Sequence, residues 1–267
     1  MKFSILIVTL NAGEKLNKTL ESISLQTIAS SEYEVIVKDG NSTDGSTECV
    51  KNYPDMNIRL YAAEDKGIYD AMNQAASYAQ GDFVYFLNCG DYFAANDVLT
   101  KVANYIDRLT DSYRGIFYGN ILERVTGALV TSNPKIDGFG CYRNVPCHQA
   151  CFYKRELVVE HPFDLAYKVR ADYEQFLWCY YIAHSQCHYM NFVIADYEGG
   201  GFSESKEHIK LSKKEHRMIT AQYMKKSELL RYRFIMFITL APLRTAIARN
   251  KVTAGIYNKF KTFLYKK

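Results

Sequence analysis

Several features common in chains of this size are missing here. No stretch of the 267 residues approaches the roughly 18 apolar residues of a spanning helix. The opening MKFSILIVTL resembles a leader only briefly, because it enters NAGEKLNK without a small-residue cleavage site. It is expected to be a first buried strand. The seven cysteines are odd in number and scattered, mostly inside apolar segments, which suits reduced thiols in a cytosolic protein better than a disulfide framework. The glycine signatures of phosphate binding are absent as well. NAGEKL follows the first strand where a dinucleotide site would have G-x-G-x-x-G, and no P-loop occurs. No G-x-S-x-G occurs, which argues against an α/β-hydrolase. There is no internal repeat, no low-complexity segment and no Q-x-x-R-W motif of a processive synthase.

What is present is uneven in charge. The formal net charge is +4, yet from Lys206 onward 16 Lys or Arg face only Glu207, Glu215 and Glu228. The body is therefore acidic and the tail strongly basic, so the body can gather carboxylates around a metal while the tail faces an anionic surface. The length suits one large or two small domains with a substantial core.

The first hundred residues alternate between strand and helix patterns. FSILIVTL, YEVIVKDG, NIRLYAAE and GDFVYFLN are apolar, β-rich runs. Between them, GEKLNKTLESISLQ places Leu16, Leu20 and Ile23 on one helical face, STECVKNY is a short helix, and IYDAMNQAASYA is another. Such βαβ units imply a parallel sheet with right-handed crossovers. Further on, DVLTKVANYIDRL is an expected helix, RGIFYGNIL a strand and Glu123 to Asn144 a polar stretch. HQACFY and CHYMNFVIADYE are expected strands, ADYEQFLWCYYIA a helix, and the tail mostly helical. The expected division is residues 1–205 as one α/β domain, with 1–95 the nucleotide-binding half and 96–205 the acceptor half, and 206–267 as a basic amphipathic tail.

Ligands of an open parallel sheet sit outside the carboxyl ends of its strands. Those ends are Thr9-Leu10-Asn11, Asp39-Gly40-Asn41, Glu64-Asp65-Lys66 and Asn88-Cys89-Gly90-Asp91. Three of them carry an aspartate, and carboxylates converging on one edge suit Mg²⁺ or Mn²⁺ bound together with substrate phosphates. Asp44 is read instead as a cap for the helix after the second strand.

The ordered set VTLNAGEKLNKTLESISLQT, VKDGNSTDGS, EDKGIYDAMNQA, FLNCGD, HQACFY and ADYE resembles the family 2 glycosyltransferases of the GT-A fold. It is most similar to those that assemble bacterial surface polysaccharides, of the colanic-acid type, and the likeness runs from about Lys2 to Ser203. The resemblance implies a mainly parallel, Rossmann-like α/β sheet flanked by helices. It implies that Thr9, Asn11 and Asp39 line the pocket for the base and ribose of a nucleotide-sugar donor, a UDP-sugar being favoured. Asp65 and Lys66 would share that pocket, with Lys66 near the diphosphate. Asn88 to Asp91 matches the family's acidic metal motif, but Asn88 and Gly90 replace acids, so only Asp91 remains to hold Mg²⁺ or Mn²⁺. Asp172 matches the aspartate of the E-D motif, the family's usual base, with Ala171 in place of the preceding glutamate.

Chemistry agrees with these roles. Displacing a nucleoside diphosphate builds charge that a divalent cation offsets, and a carboxylate can take the acceptor proton. Asp172 is otherwise an N-terminal helix carboxylate, and Glu174 is the alternative base. His148 would contact diphosphate or acceptor, complete the metal site, or serve as a structural histidine. Cys141, Cys147, His148 and Cys151 do not match zinc spacing. Trp178, Tyr180 and Tyr181 are expected in the core, and Gly199-Gly200-Gly201 as a turn or a lid.

The tail segment LLRYRFIMFITLAPLRTAIARNK suits an anionic membrane surface better than a dimerising helix or nucleic acid. The expectation is an inverting, metal-dependent, non-processive transferase. It would act on a lipid-linked saccharide while peripheral on the cytoplasmic face of the inner membrane. A homodimer is a further possibility, nucleic acid is not expected as a partner, and an inactive sugar-nucleotide-binding scaffold is the contrasting reading.

Overall fold

The computed structural model describes residues 1–109, 115–199 and 206–239. Gly200, Gly201 and the stretch 240–267, with Pro242, lie outside the described residues. The chain divides into two units, Met1–Ile219 and Thr220–Lys267.

The first unit is built on β1 (Phe3–Thr9), β2 (Tyr33–Asp39), β3 (Ile58–Ala62) and β4 (Phe83–Phe86), all mutually parallel, in the order β3-β2-β1-β4. Every residue of β1, β2 and β4 is buried. That explains why these strands read as unbroken apolar runs: a parallel sheet is covered by helices on both faces. On one face, α1 (Glu14–Ser24) packs Leu16, Leu20 and Ile23 against Ile5, Ile7, Val35 and Val37. Joining it there is α3 (Val98–Asp107) with Leu99, Val102 and Ile106. The opposite face takes α2 (Ile68–Ser77), whose buried residues are Ala71, Met72, Ala75 and Ala76. Three of those are alanines, small enough to let the helix lie close on β1 and β2. The expected helix STECVKNY is a 3-10 segment, Ser46–Asn52. Its N-cap is Gly45, without a side-chain cap hydrogen bond; Asp44, one residue earlier, accepts from Ser46 N–H and from Gly13 N–H just before α1.

Beyond β4 the sheet is mixed. A two-residue strand, β5 (Tyr92–Phe93), precedes α3, and β6 (Gly115–Glu123) follows it. The expected polar stretch contains β7 (Ala128–Val130) and α4 (Gly138–Arg143). HQACFY does not begin as a strand: His148–Ala150 form a 3-10 turn, and β8 (Cys151–Lys154) starts after it. α5 (Arg155–Glu160), α6 (Ala171–Tyr181) and β9 (Gln186–Tyr197) complete the body. β8 joins β4 and β6 antiparallel, β6 pairs β9 parallel, and β9 pairs β5 antiparallel. This last pairing curls the sheet, so the end of β9 returns to the loop after β4.

The described helices end with α7 (Lys206–Tyr223) and α8 (Lys226–Ile238). No helix among the described residues is long and apolar enough to cross a membrane.

The packing around β1 leaves no room at Gly81, just before β4. A Cβ there would lie 2.6 Å from the Phe3 carbonyl carbon and 2.7 Å from Ser4 N, both backbone atoms. Gly81→Ala is therefore expected to lose roughly 1–3 kcal/mol, seen as a lower midpoint in thermal unfolding.

Candidate active site

Strand order reverses at β1: β2 and β3 lie on one side, β4 on the other. In such sheets ligands bind beyond the carboxyl ends at the switch point, and Thr9, Asn11, Asp39, Asp65 and Asp91 lie at or just past those ends. Thr9 pairs with Asp39 across the β1–β2 register. Thr9 Oγ1 is buried without a hydrogen-bond partner. Asp39 accepts from the N–H and hydroxyl of Ser42, and Ser42 Oγ accepts from Asn11 N–H at 2.8 Å. Asn11 sits at φ 47°, where its Oδ1 accepts from Thr43 N–H at 2.9 Å. Asn and Asp tolerate this left-handed backbone better than other non-glycine residues. The two strand ends are thus locked to each other through side chains.

Asp65 is held by a residue that sequence patterning left unremarked. Lys38, on β2, is fully buried and donates to the carbonyls of Asp39 (2.9 Å) and Ala63 (2.6 Å) and to Asp65 Oδ2 (3.3 Å). Two carbonyl dipoles and a carboxylate compensate the burial of its charge. Asp65 Oδ1 accepts from Gly67 N–H at 3.0 Å. The Lys66 side chain is exposed, and its N–H donates to Asp70.

Asp91 ends a short loop after β4. A hydrogen bond from Asp91 N–H to the Asn88 carbonyl closes it at 2.9 Å. The Asp91 side chain is only 3% exposed. Its Oδ1 accepts from Glu198 N–H at 2.8 Å, and its Oδ2 is buried without a hydrogen-bond partner. Burial pushes the carboxyl up to about 6, opposed by the Glu198 N–H, the Gln149 side chain and Arg124. Arg124 donates to the Gly90 carbonyl at 3.2 Å, pairs with Asp196 and covers the Tyr92 ring. An orphaned buried carboxylate oxygen fits a cation. Among the described residues no group of three or more His, Cys, Asp or Glu could hold a metal ion. A metal at Asp91 would therefore draw most of its ligands from phosphate and water, as hard divalent ions often do.

Asp172 lies in the first turn of α6, half-buried. Tyr69, in the first turn of α2, donates to Asp172 Oδ1 (3.1 Å) and to the Val169 carbonyl (3.0 Å). Burial and the Asp172 charge hold the Tyr69 phenol well above its usual range, so it acts as a donor. The loop of Asp65 and Lys66 leads directly into α2, so one hydrogen bond joins that loop to Asp172. Glu174 does not share the site: it is buried and faces His161 Nε2 at 2.9 Å. Trp178, expected in the core, is half-buried and stacks on His161 at 4.6 Å.

Sequence reasoning also missed Glu215, on α7. It is 3% exposed, and its carboxylate accepts from the N–H groups of Lys168, Val169 and Arg170 at 2.8, 3.0 and 2.9 Å. These N–H groups lie just before α6 and at its N-cap, Arg170, where negative charge is favoured. His216 stacks on Tyr173, and Arg170 donates to Ser212 at 2.7 Å, so α7 braces the turn that carries Asp172.

His148 is 8% exposed, enclosed by the rings of Phe86, Phe163 and Tyr153, and neither ring nitrogen has a hydrogen-bond partner. Burial lowers its pKa and the nearby Asp172 charge works against that shift, so the imidazole is neutral at pH 7.

Comparison with known proteins follows the same outline. The profile described as Glycosyl transferase family 2 matches residues 4–156. A PGL/p-HBAD biosynthesis glycosyltransferase of Mycobacterium tuberculosis is 34% identical over 208 residues, covering 76% of this chain and 79% of the relative. Poly(ribitol-phosphate) beta-N-acetylglucosaminyltransferase TarS of Staphylococcus aureus is 32% identical over 110 residues, 40% of this chain and 19% of that protein. The structure of S. aureus TarS 1-349 in complex with UDP-GlcNAc superposes with a TM-score of 0.68 at 19% identity, covering 85% of this chain and 69% of the other. The mannosyltransferase PcManGT from Pyrobaculum calidifontis, in complex with GDP-Man and Mn2+, gives 0.59 at 16% identity, covering 100% and 88%. At these identities the two structures establish the shared GT-A fold.

Two outcomes follow. Asp91 ionises near pH 4 when unfolded but near 6 when folded, so folding favours its protonated form. That contribution is complete below about pH 4 and lost as pH rises through about 6. In metal-free buffer, Asp91→Asn should therefore be more stable than the parent by about 2–3 kcal/mol at pH 7–8, an advantage that vanishes by pH 4 in urea titrations. Glu215→Gln, which removes the charge facing three N–H groups, should cost roughly 1–3 kcal/mol and lower kcat while leaving donor KM unchanged.

Proposed function

The chain belongs to glycosyl transferase family 2, and from that premise we propose that it is an inverting, metal-dependent transferase. It would move one sugar from a nucleotide-sugar donor to a lipid-linked saccharide during assembly of a cell-surface glycan. The names of the relatives support the product class, and the donors in the solved neighbours support a nucleotide sugar, a UDP-sugar in the TarS case. The observation that carries the reading is the Tyr69–Asp172 hydrogen bond. It holds the acid that would serve the acceptor against the helix that follows the Asp65-Lys66 loop, where the donor would lie.

In this mechanism Thr9, Asn11 and Asp39 hold the base and ribose, and Asp65 and Lys66 the rest of the donor. Asn88 and Gly90 keep the approach small, and Asp91 would hold Mg²⁺ or Mn²⁺. When bound, such a cation would supply neutralisation of the charge on the diphosphate. Tyr69 occupies Oδ1 of Asp172, leaving Oδ2 to face the acceptor hydroxyl. As the hydroxyl oxygen bonds to the anomeric carbon, its proton passes to Asp172. The bond to the diphosphate oxygen breaks with its electron pair, and the single displacement inverts the centre. His148, neutral beside Asp172, offers its unpartnered nitrogens to a sugar hydroxyl or the diphosphate.

Attachment to an anionic bilayer rests on α8. Leu230, Phe234, Phe237 and Ile238 form one exposed helical stripe, bordered by Lys226, Arg231 and Arg233. Such a face is suited to lie in a headgroup layer, near a lipid-borne acceptor on the cytoplasmic side.

Asp172→Asn should retain donor binding, read by thermal shift with UDP-sugars and Mn²⁺, but lose at least about 100-fold in transfer. Full activity in that variant, or transfer unaffected by EDTA, would sink the corresponding assignment. The full chain should co-sediment with phosphatidylglycerol vesicles and be released by salt. Phe234→Glu with Phe237→Glu should stay in the supernatant; unchanged sedimentation would discard the α8 stripe as the membrane face.

A further inference from the structure

A second carboxylate stands beside Asp91, and it comes from the far end of the sheet. Pairing of β5 with β9 brings Glu198 back to the loop after β4. Its N–H donates to Asp91 Oδ1 at 2.8 Å, which fixes the two residues side by side. Gly90, at φ 101°, lets the Glu198 carboxylate settle against the loop: a Cβ on Gly90 would lie 2.8 Å from Glu198 Oε2. Lys15 occupies the remaining side. Its Nζ meets Glu198 Oε1 at 2.8 Å and Oε2 at 2.9 Å, and its stem runs 3.4 Å from the same Cβ position. A carboxylate from the end of β9 thus lies at the same edge as Asp91.

We propose that Glu198 is the second protein ligand of the divalent cation at Asp91, and that Lys15 is a placeholder cation that passes to the donor diphosphate when the metal arrives. This rests on the reading of Asp91 as the metal-holding residue. Several observations converge on it. Asp91 is buried, with one oxygen unpartnered, beside a second carboxylate. Neighbouring like charges call for counter-cations; among the described residues Arg124 acts on Asp91 and Lys15 pairs with Glu198. The Lys15 and Glu198 side chains are 54% and 41% exposed, so their pairing is weak and exchanges readily. Hard divalent ions prefer carboxylate oxygen to any other side-chain donor. A doubly charged cation balances Asp91 and Glu198, which leaves the freed Lys15 to offset charge on the diphosphate. The exchange is a ligand substitution, with no covalent bond made or broken.

The test is Mn²⁺ binding to the full chain, followed by electron paramagnetic resonance of free Mn²⁺ with and without UDP. Glu198→Gln should weaken Mn²⁺ binding roughly tenfold or more in both conditions. Lys15→Met should do the opposite without nucleotide, tightening Mn²⁺ binding, while weakening UDP. These opposite signs would not arise from general loosening of the loop. Unchanged Mn²⁺ affinity in Glu198→Gln, with loss in Asp91→Asn, would overturn the assignment of Glu198 and leave Asp91 standing. Unchanged affinity in both variants would overturn Asp91 as well. Weaker Mn²⁺ binding in Lys15→Met would overturn the placeholder role.

Discussion

The ligand edge of this protein depends on the double pairing of β1. Its seven residues are buried and pair along their whole length with β2, and the first four, Phe3 to Leu6, also pair with β4 on the other side. A strand so placed cannot slip by one residue without turning its apolar set out of register with both neighbours. The position of Thr9 beside Asp39, and of the Asp91 loop beyond β4, follows from that constraint. Side chains then finish what the backbone begins: Ser42 joins the ends of β1 and β2, and Lys38 ties β2 to Asp65. The carboxylates are held by groups that cannot move without disturbing the core.

Asp91 illustrates the tension this creates. Its environment favours the protonated form, and one oxygen has no hydrogen-bond partner. Uncompensated burial of this kind is costly for a fold, and such costs concentrate where ligands bind. His148 belongs to the same class, with two unpartnered nitrogens inside a ring of aromatics.

The parallel half was legible from sequence because its strands are long, apolar and separated by amphipathic helices. Leu16, Leu20 and Ile23 pack as their spacing predicts. Elements of two to six residues, such as β5, β7, α4 and α5, were not legible, because a run so short shows no periodicity. The 3-10 turn at His148 was mistaken for strand for the same reason. Asp39, Asp65 and Asp91 stood out because a carboxylate at or just past the end of an apolar strand is conspicuous. Lys38 was hidden inside YEVIVKDG, where a charged residue in a buried strand has no visible partner until β3 and its loop are placed. Glu215 and Glu198 were hidden by distance: each acts on residues some 45 to 107 positions away, and only the folded chain makes that separation short.

The clamp of Glu215 on the start of α6 bears on how the molecule can be divided. Charge and composition alone make everything from Lys206 onward look like an appendage, separable from the body. Three backbone N–H groups ahead of Asp172 nevertheless terminate on a carboxylate from within that basic stretch. A chain shortened just before Lys206 would keep every motif of its family and still lose the support of its acid-bearing turn. The smallest active fragment must therefore be sought beyond Glu215, and inactivity in a shorter one would say nothing about membranes.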